Sequence, residues 1–240
     1  MKKVLSLFLC VILILCLSAC TYNPPDGYAE EHHTYEEILK FAKGIDPNAT
    51  VSKEYTDTTI DAWNRKFREY PATINGIECH VSSVGDMVWN EGFLAGEFAR
   101  QYYIIDTDYD YYLLEKITKE KQPTWHMCSD DLSEKYNWNG MVFVETDCSG
   151  NTKLSEEELE TIWQQAYEIY KEYSKYPVRK EANFGVAAPA AYYTDGSFKD
   201  EYIKITRNYI DDFSADGKSN FFKQYNEDWS LLESGLPISD

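Results

Sequence analysis

Lys66-Phe67-Arg68-Glu69-Tyr70-Pro71-Ala72-Thr73-Ile74-Asn75-Gly76-Ile77-Glu78-Cys79-His80-Val81-Ser82-Ser83-Val84 is the stretch on which the fold turns. Two strand-like runs, Lys66 to Ile74 and Ile77 to Val84, flank an Asn-Gly pair. A two-residue hairpin turn needs positive φ at both central positions, and Asn-Gly supplies them at least cost. An antiparallel hairpin is therefore predicted here. Upstream, Thr34-Tyr35-Glu36-Glu37 reads as a capping box, followed by Ile38, Leu39, Ala42 and Ile45 at helical spacing. Asp46-Pro47-Asn48 then turns the chain into an extended stretch, Ala49 to Thr56.

Downstream the pattern weakens and then returns. Gly85 to Arg100 fits no period and reads as a long loop or broken helix. Asp106 to Glu120 resumes helical spacing through Tyr109, Tyr112, Leu113 and Ile117 and stops before Pro123. Gln122 to Gly140 is the least patterned stretch, where any subdivision of the domain would fall. Met141 to Thr146, apolar on both faces, reads as an interior strand. The longest helix follows from Ser155 to about Tyr176, with Leu159, Ile162, Trp163, Ala166, Tyr170 and Tyr173 on one stripe. A last hairpin, Phe184 to Tyr193 and Phe198 to Thr206 around Asp195-Gly196, precedes an irregular aromatic-rich end. Hairpins mixed with about three helices indicate an α+β domain rather than a doubly wound sheet.

The N-terminus speaks to location. Lys2 and Lys3, an apolar run from Val4 to Leu17 and small residues before Cys20 describe a secretory signal. The run is 14 residues long, short of the roughly 20 that a membrane span needs. Leu17-Ser18-Ala19-Cys20 resembles the lipobox of bacterial lipoproteins. That resemblance implies a diacylglyceryl group on the Cys20 thiol, cleavage after residue 19, and a domain held by fatty acyl chains at the outer face of the cell membrane. Residues 20–33, with Pro24-Pro25 and Asp26-Gly27, read as a solvated tether in which His32-His33 are exposed linker residues, leaving 34–240 as one extracytoplasmic domain.

Composition narrows the partners. Loss of residues 1–19 takes Lys2 and Lys3, so 23 basic residues become 21 against 41 acidic ones. Such a surface repels phosphate backbones, which excludes nucleic acid as a partner. Membrane contact is then expected through Cys20 alone. Aromatics at 15% argue for a packed core rather than a disordered acidic chain. Cys79, Cys128 and Cys148 remain after the lipidated residue, an odd number that cannot all pair within the chain.

Several constellations could carry chemistry. Asp147-Cys148-Ser149-Gly150-Asn151-Thr152-Lys153-Leu154-Ser155-Glu156-Glu157-Glu158 resembles the calcium loop of the EF-hand family over its length. The resemblance implies oxygen ligands from Asp147, Ser149, Asn151, the Lys153 carbonyl, Ser155 and Glu158, although Thr152 replaces the turn glycine. The same letters also make a turn at Ser149-Gly150-Asn151 and a capping box of Ser155 with Glu158, which needs no cofactor. Asp106-Thr107-Asp108-Tyr109-Asp110 is a looser calcium candidate, equally explained by carboxylates capping a first helical turn.

Cys79-His80 and His126-Met127-Cys128 bring thiols beside imidazoles without zinc-type spacing, and neighbours in a strand would point to opposite faces. Trp89, Glu91 and Glu97 are the candidate ligand-binding residues, and the two glutamates would serve a glycan hydrolase if set across a cleft. No nucleophile elbow or glycine-rich phosphate loop occurs. The sequence therefore reads as a lipid-anchored domain binding an extracellular ligand or envelope protein. The alternatives are a lipid-anchored hydrolase of wall glycan or peptide and a structural calcium-binding protein.

Overall fold

The computed structural model describes residues 25–60, 65–92, 96–127, 141–146, 153–187, 191–194, 201–204 and 207–234. Helix α1 (Tyr35–Ile45) starts at the predicted capping box: Thr34 Oγ1 accepts from the Glu37 amide, and Glu37 Oε2 accepts from the Thr34 amide at 2.8 Å. Its buried side, Ile38 and Ala42, lies on a sheet built from β1 (Thr50–Val51), β2 (Thr56–Ile60), β3 (Arg65–Ile74), β4 (Ile77–Gly92) and β5 (Gly96–Thr107). The sheet is wholly antiparallel. β1 and β2 share one edge of β3, whose other edge pairs with β4, and β5 follows β4.

The Asn-Gly turn sets the register. Asn75 has φ 49° and Gly76 φ 72°, so Ile74 faces Ile77 and every later pair of β3 and β4 follows. One face of this hairpin, with Tyr70, Ala72, Ile74, Cys79 and Val81, enters the main core. Phe67 and Val84 pack with Ile104 on the other face.

Residues 85–100 correct the sequence reading. The described part, 85–92 and 96–100, is neither loop nor broken helix: β4 runs on to Gly92 and pairs with β5 from Val81↔Thr107 to Gly92↔Gly96. Local letters do not alternate here, but a ladder already in register extends at little further cost, and context overrides propensity. Gly85 is what lets β4 pass close to its neighbours. A Cβ there would lie 2.8 Å from the Lys66 carbonyl oxygen and would meet the Gln101 side chain.

Helix α2 (Tyr109–Lys121) leaves the end of β5, and β6 (His126–Met127) leads toward β7 (Met141–Thr146). Helix α3 (Glu156–Tyr173) then crosses to β8 (Glu181–Ala187), which runs parallel to β7. β7 lies between β6 and β8, as an interior strand should. On α3 the buried stripe is Leu159, Ile162, Trp163, Ala166, Ile169 and Tyr173; Tyr170, assigned to it by spacing, is exposed.

The predicted last hairpin divides differently. β8 stands apart, while β9 (Ala191–Thr194) pairs with β10 (Glu201–Lys204), and β11 (Arg207–Ile210) returns to β8. The last described residues, read as part of an irregular end, are helical. Helix α4 (Ala215–Ser234) buries Phe221, Tyr225 and Trp229, one from each successive turn. Ser214 Oγ accepts from the Gly217 amide at 3.1 Å and opens this helix. The described residues thus hold four helices where about three were expected, within the expected α+β class.

A single cluster of buried side chains extends from Ile38 to Trp229 and includes Trp125 and Met127, at the start of the weakly patterned stretch. The expected tether is also partly structured. After a turn in which the Tyr28 amide donates to the Pro25 carbonyl, Ala29 exchanges hydrogen bonds with Tyr103 of β5 at 2.8 and 2.9 Å. His32 and His33, read as exposed linker residues, are half-buried against the sheet.

Substituting Gly85 by alanine is expected to lower stability by about 1–3 kcal/mol, because a backbone carbonyl must give way. Gly76→Ala, which costs only the left-handed conformation, should lose about 1 kcal/mol. Urea unfolding of both variants checks the order.

Candidate functional site

Five residues at the exit of β5, Asp106-Thr107-Asp108-Tyr109-Asp110, include two buried carboxylates, Asp108 and Asp110, and a third, Asp106, that is 15% exposed. Each carboxylate has its own partner. Asp106 lies 3.4 Å from Lys180 Nζ and 3.7 Å from Arg179, and accepts from the Thr107 amide at 2.8 Å. Burial still outweighs these cations and raises its pKa above the ordinary aspartate value. Asp110, fully buried, accepts from the Arg179 amide at 3.2 and 3.3 Å. Desolvation pushes its pKa up to about 6 against that hydrogen bond and the nearby lysine.

Asp108 holds the third position, and it corrects the capping interpretation. It stands at the N-cap of α2, yet its side chain caps nothing. Thr107 Oγ1 accepts from the Tyr109 amide instead, while donating to the His80 carbonyl. The Asp108 carboxylate turns to His80 of β4, accepting from its backbone amide through Oδ1 and from ring Nδ1 through Oδ2 at 2.9 Å. An ionised carboxylate only accepts, so that contact fixes the proton on Nδ1. Asp108 is 1% exposed and the His80 side chain 39%, so a buried acid orients a histidine that reaches the surface.

His80 forms part of the wall of a cleft of about 580 Å³. Thr50, Ser52, Thr73, Glu78 and Tyr112 line it with hydroxyls, one carboxylate and an aromatic ring. Such a lining can hold a polar ligand by hydrogen bonds, with the oriented imidazole supplying direction. An Asp-His pair is also half of a nucleophilic device, completed only by a hydroxyl or thiol within reach. Cys79 does not supply it. It borders the cleft but is buried with the core side chains, as strand alternation predicts, and burial pushes its thiol up to about 12, which leaves it a poor nucleophile.

The other candidates fall in separate places. Cys20, Cys128, Asp147, Cys148, Ser149 and Asn151 lie outside the described residues. Of the calcium set, Lys153 precedes α3, and Ser155 with Glu158 forms its capping box: Glu158 Oε2 accepts from the Ser155 amide at 2.7 Å and from its hydroxyl at 2.8 Å. Trp89, Glu91 and Glu97 lie on the β4–β5 hairpin, where the backbone register sets Glu91 opposite Glu97 and Trp89 opposite Ala99. His126 pairs across β6 and β7 with Glu145, in the second sheet. Among the described residues no group of three or more His, Cys, Asp or Glu side chains is arranged to hold a metal ion.

The sequence flags both His80 and Asp108 but not their partnership, nor Lys180. They meet because β4 and β5 pair from Val81↔Thr107 outward, through the very stretch read as a loop. The chain matches no protein-family model, and no curated protein and no solved structure matches it. Among the described residues no helix is long and apolar enough to cross a membrane.

The folded state holds the Asp110 proton more tightly than the unfolded chain, so its contribution to stability is full below about pH 4 and lost as pH rises through about 6. Asp110→Asn keeps an acceptor for the Arg179 amide and removes the buried charge. It should gain on the order of 2 kcal/mol at pH 7.5 and nothing at pH 4, measured by urea unfolding at both values.

Proposed function

We propose that this chain is a bacterial lipoprotein whose acidic α+β domain stands at the outer face of the cell membrane and binds an extracellular or envelope ligand. The observation that carries the reading is the lipobox Leu17-Ser18-Ala19-Cys20, whose cysteine lies five residues ahead of Pro25, the first described residue. Acylation of Cys20 would supply the membrane contact; two acyl chains hold a protein durably where one does not. The charge balance leaves the lipid on Cys20 as the expected membrane contact, since an acidic surface gives no electrostatic grip on anionic lipid.

The cleft beside His80 supports binding. Its hydroxyl-rich wall, with Tyr112 on one side, suits a polar ligand that offers both donors and acceptors. A hydrolase of wall glycan or peptide is the second reading. The feature that favours it is the Asp108–His80 pair in the cleft wall, and His80→Gln would then abolish turnover of wall fragments while leaving the fold intact.

Growth with an alkyne-bearing fatty acid should label the wild-type protein in the membrane fraction and shift its N-terminus to Cys20. Cys20→Ala should remain unlabelled and keep residues 1–19. Label retained in Cys20→Ala, or wild type found uncleaved in the cytosol, would end the lipoprotein assignment.

A further inference from the structure

Residues 25–33 are fastened to the sheet at several points, two of which involve His32 and His33. Ala29 pairs with Tyr103 on the outer edge of β5, and Tyr28 donates its hydroxyl to Asp86 of β4 at 2.9 Å. The His33 amide donates to Ser83 Oγ at 3.0 Å, and the ring Nδ1 lies 3.2 Å from the same oxygen. Ser83 is fully buried. With the ring neutral its hydroxyl can donate to Nδ1 while accepting from the amide; with Nδ1 protonated, that O–H loses its acceptor. His32 packs against Tyr103 with ring centroids 4.1 Å apart and planes tilted by 46°, and its buried Nδ1 has no hydrogen-bond partner among the described residues.

The charges around the two rings are unequal. His32 faces Arg68 and Lys66 of β3, which oppose a positive ring, and Asp57 of β2, which favours one. Asp57 is already held by Arg68 through two hydrogen bonds of 2.8 and 3.2 Å. His33 faces Glu37 of α1, itself engaged by Thr34, across a groove that also holds Lys40 and Arg179. On the segment itself Glu30 and Glu31 precede the pair. Burial is the leading influence at both histidines and lowers the pKa of each, so the docked segment takes up protons less readily than the released one.

We infer that residues 25–33 are a pH-operated strap, docked while His32 and His33 are neutral and released when they are protonated. The consequence for the leash rests on the lipid-anchor reading. From Cys20 to Pro25 the chain reaches at most about 18 Å, which keeps a docked domain close to the bilayer. Release to Thr34 extends that reach to about 50 Å. Acidification outside the cell would thus let the domain, with its cleft, move away from the membrane without losing its attachment.

The sign follows from linkage. A histidine whose pKa is lowered by docking favours the docked state above its free value near 6.5, and that contribution is lost as pH falls below it. Hydrogen exchange of the full chain tests this, with rates corrected for the intrinsic effect of pH. Between pH 7.5 and 5.5 the amides of Ala29 and His33 should lose at least tenfold in protection while the β3–β4 hairpin keeps its own. The double variant His32→Phe, His33→Asn retains a ring on Tyr103 and an acceptor for Ser83, and should hold its protection at both values. Unchanged protection in wild type, loss in step with the hairpin, or an equal loss in the double variant would each overturn the strap. Mass analysis of the N-terminal peptide from the same sample reads the lipid on Cys20 separately, so failure of the anchor and failure of the strap give different results.

Discussion

A carboxylate buried next to an ammonium survives only if the chain supplies further hydrogen bonds, because the cost of removing both ions from water exceeds their direct attraction. Asp106 and Lys180 are such a pair, and the geometry of the whole molecule is arranged to satisfy them. Lys180, 5% exposed in its side chain, sits just before β8 of the second sheet, whereas Asp106 ends β5 of the first. The Thr107 amide and carbonyl complete their coordination, at Asp106 and Lys180 respectively. The two sheets are therefore joined by charge as well as by the shared hydrophobic core.

The residues that follow extend the same seam in two directions. Asp108 reaches back to His80 and fixes the corner where β5 becomes α2, and Asp110 reaches across to the Arg179 amide. Tyr173, at the end of α3, donates to the Lys180 carbonyl at 2.9 Å and brings the crossover helix into the network. The cleft beside His80 thus adjoins this hydrogen-bonded seam, and the buried Asp108 carboxylate holds the imidazole in one orientation in its wall.

Much of the framework was legible from the sequence. Asn75-Gly76 dictates its hairpin because two consecutive positive φ angles are costly for most residues, and Thr34 with Glu37 and Ser155 with Glu158 dictate helix starts through reciprocal hydrogen bonds. The β4–β5 extension is not legible, because Gly85, Asp86, Asn90 and Glu91 are poor strand formers retained by a ladder begun further down. Phe221, Tyr225 and Trp229 carry a helical spacing that is visible once sought; Gly217 and the many polar residues obscure it. The site was legible only as letters. His80 and Asp108 stand far apart in the chain, and only the long hairpin makes them neighbours.

The most direct test of this account is the coupling between Asp106 and Lys180, measured by urea unfolding of Asp106→Asn, Lys180→Met and the double variant at pH 7.5. Lys180→Met should destabilise strongly, Asp106→Asn much less because burial of that carboxylate outweighs its cations, and the double variant should be less destabilised than the sum by about 1–3 kcal/mol, because the cost of Lys180→Met is in large part that of leaving Asp106 without its ammonium. Additive effects would contradict the claim that this ion pair joins the two sheets.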